Sequence, residues 1–89
     1  MDILAKTAAE TTVKNNTMLR TLAIEIMNGI TEAADNGDFE YMFKLEADEI
    51  VFFDVILRML KKAGYEVAEH DYEFHVTWWS AIADNLIES

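Results

Sequence analysis

The 89-residue sequence contains no cysteine and no proline, only three glycines, and seven lysines and arginines against seventeen aspartates and glutamates. Without cysteine there are neither disulfides nor thiolate metal sites to hold so small a fold together, and nothing ties the chain to an oxidising compartment. The glycines stand far apart, at Gly29, Gly37 and Gly64, so no phosphate-cradling loop of the Walker or dinucleotide type is present. Serine is confined to Ser80 and Ser89, neither in the strained Gly-x-Ser-x-Gly turn of a nucleophile elbow, so acyl-transfer chemistry has no support. The chain is read as non-catalytic, with no cofactor.

No apolar run approaches the roughly 20 residues of a membrane span, and Met1–Lys6 lacks the basic stretch and apolar run of a secretory signal, so a soluble protein is expected. The shortage of cations leaves a formal net charge of −10, which repels phosphate backbones and anionic lipid heads. Direct nucleic-acid binding and membrane association are therefore not expected. The same charge steers the chain toward a basic protein partner, although acidity also serves plain solubility.

What is present is enough apolar material to fold: 52% of residues are hydrophobic and 11% aromatic, too many for a disordered tail. A chain of this size buries only around 60% of its unfolded surface, which suits one modest core, and residues 1–89 are taken as a single domain. No repeat, proline-rich linker or low-complexity run breaks it.

Leu19, Leu22, Ile26, Ile30 and Ala33 recur at steps of three and four, an apolar stripe on a helix. Leu4, Ala8 and Val13 continue it loosely upstream, so one long helix over about residues 3–35 is expected, with Asn15-Asn16-Thr17 either a mid-helix surface or a cap that restarts it. Gly29 inside the stripe costs about 1 kcal/mol relative to alanine, which points to a close backbone neighbour or a bend. Gly37 supplies the left-handed stop. Phe39, Tyr41, Phe43 and Leu45 alternate with Glu40, Met42 and Lys44, a strand over 39–45.

A second helix is expected over residues 47–63, opened by Asp48 and Glu49 and closed by Lys61-Lys62 and Gly64. It carries Ile50, Phe53, Leu57 and Leu60 on one face, yet Val51, Phe52, Val55, Ile56 and Met59 leave it too apolar for a one-sided surface helix. Either it is buried on both sides or part of it is an interface. Tyr65 and Val67, a turn at Glu69-His70-Asp71, and Tyr72, Phe74, Val76 and Trp78 read as a hairpin. Ser80 is the expected cap of a short final helix. The fold class is thus α+β, in chain order α-β-α-β-β with a short C-terminal helix, both longer helices lying on one face of a three-stranded sheet.

His70 and His75, with Glu69, Asp71 and Glu73 beside them, are the one group of potential metal ligands, but a solvated polar face explains them as well, and no metal is expected. Consecutive strand residues face opposite ways, so Trp78 and Trp79 cannot both enter one core. Either Trp79 is left outside as an interface anchor, or the final helix covers it.

The run from Ile26 through Asn36-Gly37-Asp38-Phe39, then Val55-Ile56-Leu57 to Leu60-Lys61-Lys62-Ala63-Gly64-Tyr65-Glu66-Val67, and finally Tyr72 to Trp78, resembles small uncharacterised tailed-bacteriophage proteins. These have a long amphipathic helix, a strand, a helix ending in Gly-Tyr-x-Val, and a closing strand ending near tryptophan. The resemblance covers about two-thirds of the chain and carries no catalytic residues. It implies a phage origin and a location in the host cytoplasm or the virion. By analogy with other small, acidic phage proteins, from origin and charge and not from a motif, the expected function is an inhibitor of a host protein, for example a CRISPR or other anti-phage defence factor.

On this reading the partner-binding residues are Glu40, Glu66, Glu69, Asp71 and Glu73, gathered by the sheet, with Trp79 as the apolar anchor against a basic host-protein surface. Two alternatives stay open. One is a virion or assembly component that self-associates through the second helix. The other is a sponge that holds a host signalling nucleotide between subunits through Arg20, Arg58 or Lys61.

Overall fold

The computed structural model describes residues 4–88. Among them the elements run α1 (Ala5–Asn15), α2 (Thr17–Asp35), β1 (Glu40–Lys44), a 3-10 turn (Ile50–Phe52), α3 (Phe53–Lys62), β2 (Glu66–His70), β3 (Glu73–Thr77) and α4 (Trp79–Glu88). The sheet is antiparallel throughout, in spatial order β1-β3-β2, so the last strand lies in the middle. This is the expected α+β class, and α2 and α3 pack against β1 and β2 respectively.

The single long helix does not form. Asn16 takes an extended backbone (φ −96°, ψ 92°), and its Oδ1 accepts the Leu19 N–H at 3.0 Å, so the helix stops at Asn15 and is capped afresh. Asparagine competes for backbone groups in this way, and at this position the local bond outweighs helix continuity. Arg20 Nη1 reaches back to the Lys14 carbonyl at 3.3 Å across the break. Residue 3, where the helix was expected to begin, lies outside the described residues.

The Leu19–Leu22–Ile26–Ile30 stripe is buried as the spacing predicts, and it joins Leu45, Ile56, Leu60, Phe74 and Val76 in the core. By contrast, α1 buries no side chain. Laid end to end, α1 and α2 span about 45 Å at the α-helical rise, and the molecule is 51 Å in its longest dimension. Its radius of gyration of 15.1 Å exceeds the roughly 12 Å of a compact chain this long. Thus α1 extends the molecule instead of folding back onto it.

Both glycine stops are Schellman motifs. Gly37 (φ 84°) and Gly64 (φ 98°) occupy the left-handed position. The bonds Asp38 N–H to Ala33 O and Gly37 N–H to Ala34 O at the end of α2, and Tyr65 N–H to Leu60 O and Gly64 N–H to Lys61 O at the end of α3, satisfy the last carbonyls. Gly29 has a different reason. The nearest neighbour is the Tyr41 ring, and a Cβ there would fall among the ring atoms.

Several boundaries differ from expectation. The strand over 39–45 shortens to Glu40–Lys44, with Phe39 and Leu45 flanking it. The second helix begins at Phe53 and not at residue 47, because Glu49 Oε1 accepts the Glu46 N–H (2.8 Å) while the Glu49 N–H donates to the Glu46 carbonyl (2.8 Å). That reciprocal turn takes up the segment that would have been the first helical turn, and Ile50–Phe52 follow as 3-10.

In the hairpin, β2 runs on through Glu69 and His70, and the reversal is a two-residue loop at Asp71 (φ 50°) and Tyr72 (φ 64°). Positive φ at both loop residues is the primed turn whose twist matches a tight hairpin. Tyr72 is therefore a turn residue, packed edge-on against Phe53 at 5.5 Å, and not the first residue of a strand. Ser80 is no cap: α4 starts at Trp79, and the Ile82 N–H bonds to the Trp78 carbonyl.

Of the face expected on the second helix, Leu60 is fully buried and Ile50, Phe53 and Leu57 are half-buried, while Ile56 joins Leu60 at the centre. Val51 and Val55 are left outside. The helix is therefore not buried on both sides.

Candidate functional site

Alternation along the strands sorts the sheet residues onto two faces. Tyr41, Val76 and Val67 lie in register across it, as do Phe43 and Phe74 one rung on. These face α2 and α3, and Phe43 stacks on Phe74 with ring centroids 4.8 Å apart. The opposite face carries three rungs: Glu40–Thr77–Glu66, Met42–His75–Ala68 and Lys44–Glu73–His70. Among the described residues no helix covers these rungs, and Met42 at the edge of the middle one is 57% exposed.

Glu40 and Glu66 thus stand on either side of Thr77, about 10 Å apart across two strand spacings. Both are held. Glu40 Oε2 lies 2.6 Å from His75 Nε2, and Glu66 Oε1 accepts the Ser80 hydroxyl at 2.6 Å. Fixing a carboxylate before a partner arrives removes part of the ordering cost of binding. Trp79 follows Thr77 at the same end of the sheet. It is 52% exposed, and its ring lies on Phe39 with centroids 4.1 Å apart. Trp78 turns the other way, half-buried against the core and edge-on to Tyr65. The two tryptophans therefore do part company, and α4 leaves Trp79 uncovered.

The six expected partner-binding residues do not form one patch. Glu40, Glu66 and Trp79 gather at one end of the outer face. Glu73 sits at the other end, between Lys44 and His70, so its charge has cationic and titratable neighbours. Glu69 is in register with Phe74 and so belongs to the helix-covered side, at the sheet edge. With Asp71, Tyr72 and Phe53 it lines a shallow cavity of about 440 Å³ at the hairpin tip. The reason is parity: Glu66 and Glu69 are three residues apart on one strand, and an odd step changes face.

His75 and Ser80, which orient the two central carboxylates, were not legible as such. Their partners are 35 and 14 residues away in sequence, and only strand register brings each pair together. Among the described residues no group of three or more His, Cys, Asp or Glu side chains is placed to hold a metal ion, and His75 bonds Glu40, not its same-face neighbour Glu73. Arg20 stands at the start of α2, whereas Arg58 and Lys61 are exposed on α3. No helix among the described residues is long and apolar enough to cross a membrane.

No protein-family model matches the chain, and neither does any curated protein or solved structure. The side chains on the sheet therefore carry the functional argument by themselves.

Proposed function

We propose that this protein is a non-catalytic binding module that holds a basic surface of a partner protein on the Glu40–Glu66–Trp79 end of its open sheet face. The observation that carries this reading is the pair of braced carboxylates flanking Thr77, with an exposed indole beside them. Two fixed carboxylates suit an arginine or lysine entering between them, and an exposed tryptophan supplies the apolar contact that anchors such interfaces. The net charge of −10 speeds encounter with a cationic surface. In the form suggested by the sequence resemblance, the partner is a host protein, such as a defence factor, and occupancy of its basic groove inhibits it.

The test is capture from bacterial lysate at low and high salt, with the wild type beside a Glu40→Lys/Glu66→Lys variant and a Glu25→Lys/Glu32→Lys control on α2. One dominant basic protein, retained by the control but lost with the sheet variant and at high salt, is the expected result. Equal capture by the sheet variant and the wild type would refute the assignment.

A further inference from the structure

Among the described residues no element covers the exposed apolar side chains on a second flank of α2. Arg20, Ile24, Met27 and Thr31 recur at steps of four, three and four, about 120° around the helix from the buried stripe. Ile24 is 54% exposed and Met27 is also exposed. The Thr31 hydroxyl donates to the Met27 carbonyl at 2.9 Å, so covering this flank leaves no unpaired hydroxyl.

The flank runs on at its N-terminal end into a concave bend of about 670 Å³ lined by Ala9, Glu10, Val13, Lys14 and Arg20. An 11-residue helix is marginal in water without tertiary packing, and α1 buries none of its side chains, so this arm lacks the cover that stabilises short helices. At the other end of α2, Ala34 and Ala81 of α4 line one apolar hollow. Farther along, α4 exposes Leu86 (74%) and Ile87 (83%), and it carries Asp84 and no lysine or arginine.

The charges of the two ends are opposite. Residues 4–20 carry Lys6, Lys14 and Arg20 against Glu10 alone, whereas residues 21–89 carry four cations against fifteen acidic residues, and α4 within them carries Asp84 and Glu88 with no cation. From these observations we infer that the occupant of the flank is a second copy of this chain, with the two α2 helices antiparallel and crossing near Ile24 and Met27. A two-fold axis there brings the cationic, apolar bend of each copy onto the acidic, apolar α4 of the other. The contact is made twice and closes on itself. It leaves the open sheet face free, so the dimer and the partner site proposed above are independent.

The experiment is sedimentation equilibrium of the full chain across the micromolar range, with circular dichroism to check folding. The wild type is expected to be a dimer. Ile24→Asp and Met27→Asp should each give a folded monomer. Arg20→Glu should raise the dimer dissociation constant roughly tenfold, and Asp84→Lys likewise, whereas combining the two should restore most of the loss because the reversed pair attracts again. Glu40→Lys/Glu66→Lys should leave the dimer intact. The inference is overturned by a wild type that is monomeric throughout, by a dimer that survives Ile24→Asp and Met27→Asp, or by one that is broken instead by Val51→Asp on α3.

Discussion

Gly29 offers a sharp check on how α2 meets the sheet, because two opposing effects act at one atom. An exposed helical glycine replaced by alanine gains about 1 kcal/mol from helix propensity. At Gly29 the new methyl group would occupy the place of the Tyr41 ring, which is half-buried and stacks on Phe43 at 5.8 Å. Displacing the ring forfeits roughly 1 kcal/mol, about half the value of burying a large apolar side chain, and about another 1 kcal/mol of ring–ring contact. Gly29→Ala is therefore expected to destabilise the protein by about 1 kcal/mol net.

In a Tyr41→Val background the ring is gone, and the same substitution should stabilise by about 1 kcal/mol, giving a coupling near 2 kcal/mol. Urea unfolding followed by far-ultraviolet circular dichroism measures all four corners of the cycle, provided the slope of each transition stays constant. If Gly29→Ala stabilised both backgrounds equally, the ring would not sit over the helix, and the docking of α2 on β1 would be wrong.

Two further outcomes follow from the same packing. Asn16→Ala removes the cap that accepts the Leu19 N–H and is expected to cost about 1 kcal/mol, measured by the shift in the urea midpoint. On α3, Leu60→Ala should destabilise by roughly 2–5 kcal/mol because its side chain is fully buried. Val51→Ala, on the same apolar segment but 78% exposed, should stay within about 0.5 kcal/mol; equal losses at the two positions would contradict the orientation of that segment.

Much of the secondary structure follows from local rules acting on neighbouring residues. The Leu19–Ile30 stripe, the alternation around Tyr41 and Phe43, and the two left-handed glycine stops are each decided within a few residues, so the α+β class and the element order were legible from spacing. The boundaries were less so. At Asn16, at Glu46–Glu49 and at Asp71-Tyr72 a side-chain bond or a turn conformation competes with the longer-range pattern, and propensity alone does not say which prevails.

The candidate site divides along the same line. The acidity of the surface follows from composition, whereas Trp78 and Trp79 part company where the chain leaves β3 and α4 begins, beyond the strand whose period suggested it. Which carboxylates share a face was set by register: only the pairing of β3 with both β1 and β2 puts Glu40 beside His75 and Thr77, brings Ser80 to Glu66, and sends Glu69 to the other side. The unpartnered flank of α2 was hidden for a related reason, since periodicity identifies the stripe that a helix buries but not which of its remaining sides the rest of the chain leaves open. Local chemistry thus determined what elements this chain forms, and the packing of α2 and α3 on one face of the sheet decided which surfaces are left to meet another molecule.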